Sequence, residues 1–270
     1  MEKHKTILFE NREIHYWEEG IGKPETLVLL HGFLQSLDVW SPIMLSYMRT
    51  MHVITIDLPG HGHSATYSEV HTMDFMANAV KAVLDKIGVE KCTLVGHSMG
   101  GYVALAFATN YGYMLNGLGL LHSHALADDE EKRRQRDEVC HQIRTNRAGF
   151  IVDFITNLFD ESKRELLASD IKELRDECLE NSEEGIIAAQ RGMKVRTSRV
   201  RTLVNAPYPV LFVYGKNDRR IPLELGMSQA MLPQRSEVVL LDNVALVSFM
   251  EEKKYLKIRL YNFVHQCHAI

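Results

Sequence analysis

The sequence predicts an α/β protein: a mostly parallel central sheet with helices on both faces, plus an inserted α-helical cap. Three observations predict it. First, short continuous apolar runs ("TLVLLHG", "MHVITIDLPG", "KCTLVGHS", "LNGLGLLHS") alternate with helical patterns. Runs of that kind mark strands buried on both faces of a parallel sheet. Second, the alternation stops from about Ala125 to Val204, where helical stretches follow one another without a strand pattern. Third, it resumes at "YPVLFVYGKND". The expected division is a core of residues 1–124 and 205–270, with residues 125–204 inserted as the cap.

Each element has a local reason. "KTILFE" and "EIHYWEE" form a hairpin joined at Asn11-Arg12. "SLDVWSPIMLSYM" is amphipathic. "TMDFMANAVKAVLDKIG" carries apolar residues at helical spacing and stops at Gly88. Four helical stretches fill the insertion: "ADDEEKRRQRDEVCHQIRTN", "AGFIVDFITNLF", "SKRELLASDIKELRDECLEN" and "SEEGIIAAQRGMKVR". "PLELGMSQAML", "SEVVLLDN" and "SFMEEKKYLKIRLYNFVHQ" complete the chain as helix, strand and helix.

Composition narrows the function classes. Of 270 residues 46% are hydrophobic and 24% charged, and the net charge is −4 from 31 basic and 35 acidic residues. No single-sign field points to nucleic acid or to an anionic membrane. The densest charge cluster, "DDEEKRRQRDE" at 128–138, mixes both signs and reads as a solvated helix face. Cys92, Cys140, Cys178 and Cys267 lie in no metal-binding spacing and are expected to be free thiols. The first residues hold no long apolar stretch, and no run approaches a membrane span, so a cytoplasmic protein is expected.

The chemistry is concentrated in Gly96-His97-Ser98-Met99-Gly100, a G-x-S-x-G pattern between a strand and a helix. Such a turn throws the serine hydroxyl out at the carboxyl end of the strand. Small residues on either side let neighbouring backbone pass closely. The following helix directs its N-terminal amides beneath the serine. Ser98 is therefore the candidate nucleophile, and the Met99 N–H a candidate oxyanion donor. A second donor must come from the loop after "TLVLL", where the Phe33 N–H is the candidate and Gly32 keeps the backbone open. His31 reads as a structural histidine bonding nearby loop backbone. Asp57, Gly60 and Gly62 in "DLPGHGHS" shape a turn-rich loop without a chemical role.

"HGFLQS", "DLPGHGHS", "GHSMGG" and "GKNDRRIP", in this order and spacing, resemble the α/β-hydrolase superfamily over essentially the whole chain, and in detail its small bacterial esterase-like or lipase-like members. The resemblance implies a triad in chain order Ser, acid, His. It implies Asp218 of "GKND" as the acid that would orient a neutral histidine. It places the histidine in the loop after "SEVVLLDN", where this chain has "VALVSFMEE" and Leu246 stands at the histidine position. Leucine cannot accept a proton. Loss of that histidine in a studied triad hydrolase costs on the order of 10⁶ in turnover, about 8 kcal/mol of transition-state stabilisation.

His122 and His124, at the end of "LGLLHSHA", are candidate substitute bases. Three readings stand side by side: a serine hydrolase with a relocated base, a pseudoenzyme that binds a ligand or partner in the old pocket, and a scaffold deliberately inactivated or redesigned. In the insertion, the apolar residues of "AGFIVDFITNLF", Phe154 among them, pack against the sheet domain or join Phe33, Met99 and Leu246 in an apolar pocket. Such a pocket suits a small or medium ester better than a charged substrate. Gly32, Phe33, His97 and Phe154 are the expected substrate contacts. No metal-ligand cluster, phosphate loop or dinucleotide fingerprint is present, so no cofactor is expected and the partner is a small molecule.

Overall fold

A computed structural model describes residues 4–269. Met1 to Lys3 and Ile270, which belong to the expected core and to the leader reading, lie outside the described residues. Strands β1 (Lys5–Phe9) and β2 (Arg12–Glu19) form the expected hairpin. Its turn is Glu10-Asn11, one residue earlier than the sequence suggested. Both residues have positive φ (47° and 62°), and Arg12 already pairs with Phe9. A two-residue hairpin turn of this kind needs left-handed backbone at both central positions.

β3 (Thr26–Leu30) is followed by a 3₁₀ turn at Leu37–Trp40, helix α1 (Ser41–Tyr47) and β4 (His52–Ile56). Helix α2 (Met73–Ile87) opens where the Thr72 hydroxyl accepts the Phe75 N–H, and closes at Gly88 with φ 77°. β5 (Cys92–His97), α3 (Met99–Tyr111) and β6 (Leu115–Leu121) come next. The sheet has eight strands in the order β1-β2-β4-β3-β5-β6-β7-β8 once β7 (Val210–Gly215) and β8 (Ser236–Leu241) are included. Only β1 with β2 and β2 with β4 run antiparallel; the other neighbours are parallel. Every residue of β3, β4, β5 and β7 is buried, which is why those segments read as unbroken apolar runs.

Between β6 and β7 the chain forms α4 (Glu130–Thr156), α5 (Ala168–Leu179), α6 (Glu183–Lys194) and α7 (Val200–Val204), with no strand among the described residues. The two helices read at the start of this region are one element broken at Asn146, whose φ −154° and ψ 66° are not helical. The Asn146 side chain then accepts the Gly149 N–H at 3.1 Å, acting as a cap for the second half. The third stretch is shorter than its pattern: a 3₁₀ turn at Glu161–Lys163 precedes α5. Helix α8 (Leu223–Ala230) follows β7; α9 (Ser248–Glu251) and α10 (Lys253–His268) follow β8, separated by a turn at Glu252, whose φ −135° and ψ 46° are not helical.

Helices lie on both faces of the sheet. Helix α3 packs on β3, β5, β6 and α2, and α10 packs beneath β6. Trp40, Phe107, Phe212 and Phe263 are among the fully buried side chains at the centre. All four cysteines are free and buried. Among the described residues no helix is long and apolar enough to cross a membrane.

Candidate active site

Ser98 sits between β5 and α3 with φ 50° and ψ −113°. A non-glycine residue there carries about 1–3 kcal/mol of backbone strain, so its surroundings must hold it. The Ser98 N–H donates to Leu121 O at 2.9 Å, and Ser98 O accepts from the Ser123 hydroxyl and the Gly101 N–H, both at 2.9 Å. The flanking glycines are steric necessities. A Cβ on Gly96 would lie 2.2 Å from Gly100 O, and one on Gly100 would lie 2.5 Å from Leu30 O and His31 O.

The Ser98 side chain opens into a cavity of about 90 Å³ whose walls include Phe33, Tyr102, His124, Phe154 and Leu246. Among the described residues no imidazole hydrogen-bonds the Ser98 hydroxyl, and no protein acceptor takes the Phe33 or Met99 N–H. The loop bearing Phe33 is braced from below. Gln35 Oε1 accepts the Gly32 N–H at 2.9 Å. His31 donates from Nδ1 to Gly32 O at 2.8 Å while its Nε2 accepts the Leu58 N–H at 2.9 Å.

Asp218 and Leu246, the expected acid and histidine positions, line one cavity. Asp218 follows β7; its Oδ1 accepts the Arg220 and Ile221 amides at 2.8 and 3.1 Å. Its Oδ2 lies 3.3 Å from His122 Nδ1. Leu246 is buried, and its N–H donates to Leu158 O at 2.9 Å. Its loop is clamped by Glu251, whose carboxylate accepts the Ala245, Val247 and Asp160 amides. Leu246 borders both the Ser98 cavity and a second cavity of about 950 Å³ that contains Asp218.

The candidate bases are engaged elsewhere. His122 is fully buried with φ 48°; its Nδ1 faces Asp218 and its Nε2 faces Ser248 Oγ at 2.9 Å. His124 does line the Ser98 cavity. However, its Nδ1 accepts the Leu126 N–H at 3.2 Å, so its proton sits on Nε2, which faces the Tyr102 hydroxyl at 3.3 Å. Burial, then Arg196, hold its imidazole down at about 4. Two expected substrate contacts are corrected as well. His97 is buried, its Nδ1 3.0 Å from Gln35 Oε1 and its Nε2 2.8 Å from Leu246 O, so it ties the Phe33 loop to the Leu246 loop instead of lining the cavity. Gly32 is turned to Gln35, whereas Phe33 and Phe154 do form the wall, their rings 5.5 Å apart.

The sequence missed the charge of this cavity. Lys132, Arg136 and Arg220 line it, and no carboxylate does. The cluster read as a solvated helix face is split: Arg133 and Arg134 are exposed, but Asp128 is buried and bonded to Arg136 Nε at 2.6 Å. The signal was the spacing. Lys132 and Arg136 lie four residues apart on one face of α4, and Asp128 stands four residues before Lys132, just ahead of the helix.

Burial, with His122 second, holds the His97 imidazole down at about 3 from an ordinary 6.5. Between those values the unfolded chain binds a proton that the native chain does not. Stability therefore falls as pH drops below about 6.5, by about 2 kcal/mol at pH 5 from this group. Glu177, raised by burial to about 7, works in the opposite direction. Urea unfolding of the parent and of His97→Gln at pH 7.5 and 5 isolates the histidine. The parent is expected to lose more stability on acidification than the variant, and equal losses would contradict a buried neutral His97.

The comparisons agree with this architecture. A sequence model of the alpha/beta hydrolase fold matches residues 25–135. The 2-hydroxy-6-oxononadienedioate/2-hydroxy-6-oxononatrienedioate hydrolase of Paraburkholderia phymatum is 28% identical over 236 residues, 79% of this chain and 77% of that protein. The AB hydrolase superfamily protein YisY of Bacillus subtilis is 26% identical over 91% of this chain and 93% of its own. The structure of a thermophilic esterase from Thermogutta terrifontis, with malate bound, superposes with a TM-score of 0.90 at 27% identity, covering 97% of each chain. The chain has the alpha/beta hydrolase fold. The relatives it resembles include hydrolases of small molecules.

Proposed function

We propose that this chain is a serine hydrolase of small or medium carboxylic esters, built around Ser98, in which the general base is missing from its usual place. Ser98 itself carries the reading: a strained turn holds its hydroxyl, free of protein partners, in a cavity beside the unpartnered Phe33 and Met99 amides. The hydroxyl oxygen attacks the ester carbonyl. The carbonyl oxygen, now negative, is held by the two N–H groups. Collapse expels the alkoxide, which leaves as the alcohol after taking up the serine proton by way of solvent water. The acyl group left on Ser98 is then removed by a second water. The helices of residues 125–204 act as the cap over this cavity.

Among the described residues none hydrogen-bonds the Ser98 hydroxyl to accept its proton. A base must sit within hydrogen-bond reach of that proton or one water away, and Leu246 fills the position instead. The wild-type chain is therefore expected to acylate slowly. A fluorophosphonate probe tests this: Ser98 should be labelled over hours, with no labelling of Ser98→Ala. Labelling indistinguishable between the two would remove the nucleophile assignment. Leu246 also favours a second reading, ligand binding without turnover. In that case the Ser98 cavity binds its ligand saturably, and Leu246→His confers no esterase activity.

A further inference from the structure

We propose that the Ser98 cavity selects substrates carrying a carboxylate, held by Lys132 and Arg220, with Arg136 behind them. The inference deepens the ester-hydrolase reading and rests on it for the position of the scissile bond. Three cations and no carboxylate border a cavity of about 90 Å³. The nearby carboxylate Asp128 is already shared between Arg136 and Arg196 at 2.6 Å each, and Asp218 is taken up by backbone amides and His122. The single charge of Asp128 is divided between two guanidiniums, and it forms no ion pair with Lys132 or Arg220.

Among the described residues neither Lys132 nor the Arg220 guanidinium has a carboxylate within ion-pair distance. The Arg220 guanidinium is stacked 4.0 Å over the Phe154 ring, which fixes its plane and leaves its N–H edge available. Lys132 is half-buried, and its ammonium is pushed down first by burial and then by Arg136. Like charges crowded into a partly dry cleft repel, and an anion entering between them relieves that repulsion while accepting their N–H groups. A neutral acyl chain would leave the repulsion in place. The cation of α4 and the cation of the β7 loop stand on different elements, so a bound carboxylate would also tie the inserted helices to the sheet.

Glutarate is the probe, with dimethyl glutarate as its uncharged match, titrated calorimetrically into Ser98→Ala at low and high salt. Glutarate should bind saturably and more weakly at high salt, dimethyl glutarate should not bind measurably, and Lys132→Gln and Arg220→Gln should each weaken glutarate about tenfold. Equal binding of the two probes, or unchanged glutarate binding in both variants, would overturn the proposal. Catalysis is scored separately in Leu246→His. Glutarate binding as expected with no turnover and no Ser98 labelling retains the anion site and removes the hydrolase reading. Equal kcat/KM for p-nitrophenyl butyrate and mono-p-nitrophenyl glutarate, unaltered by Lys132→Gln, removes anion selectivity and retains the hydrolase.

Discussion

Leu246→His is expected to raise ester turnover by roughly three to six orders of magnitude. The upper end is what removal of the histidine costs in a complete triad, and the lower end allows for imperfect placement. Leu246 borders the cavity of Ser98 and the cavity of Asp218. An imidazole on the same Cβ would have a hydroxyl on one side and a carboxylate on the other. The loop needs no rebuilding, because its backbone is held by Leu158 O and by the Glu251 carboxylate, neither of which depends on the side chain at 246. Asp218 also retains capacity: its contact with His122 is long, at 3.3 Å, and a carboxylate has about four lone-pair sites.

The measurement is kcat/KM on p-nitrophenyl butyrate. Two doubles interpret it. Leu246→His with Ser98→Ala should return to background. Leu246→His with Asp218→Asn should lose most of the gain, up to about 10⁴-fold, as when a triad acid can no longer set the tautomer. If Leu246→His matches the parent on every ester tried, the proposed triad geometry is wrong.

Asp57→Ala should cost about 3–5 kcal/mol of stability, the scale for removing one partner from a buried charged network. Asp57 ends β4 with its carboxylate 1% exposed. Oδ1 accepts the Leu37 N–H at 2.7 Å; Oδ2 accepts the His63 N–H at 3.0 Å and meets His15 Nδ1 at 2.7 Å. Truncation strands three donors, of which the Leu37 and His15 groups are buried and cost about 1–3 kcal/mol each if unmet. Gly62, with φ 53°, brings its backbone so close that a Cβ would lie 2.4 Å from this carboxylate. The loop was therefore legible as turn-rich, but its centre is the aspartate. Leu37 follows the Phe33 loop, so Asp57→Ala should also blunt any esterase activity restored by Leu246→His. The urea midpoint is the readout, with Asp57→Asn as a milder variant should Asp57→Ala fail to fold. A midpoint shift equivalent to less than about 0.5 kcal/mol, the usual range for exposed positions, would deny Asp57 this role.

Much of the scaffold was legible because its determinants are local. Strand burial is written in β3, β4, β5 and β7 as unbroken apolar runs. Helix α2 announces itself by Thr72 and Gly88 at its ends. Even the break at Asn146 fell where two helical patterns met. Errors arose where backbone geometry overrode pattern: the hairpin turn fell one residue earlier, and the helix read through Glu252 divided in two.

The sequence by itself determined the strand–helix order, the serine on its sharp turn and the leucine, Leu246, in the loop after β8. Those features are set by period, by glycine sterics and by spacing within a few residues. Only the tertiary structure decided who faces whom. His122 meets Asp218 and Ser248 across 96 and 126 residues of chain. His97 closes on the Leu246 loop across 149. Lys132 and Arg220 share one cavity although they lie on α4 and on the loop after β7. A side chain's partners across such separations depend on how elements pack, which no short window of residues encodes. For that reason a cleft that reads as apolar along the chain is bordered, once folded, by three cations.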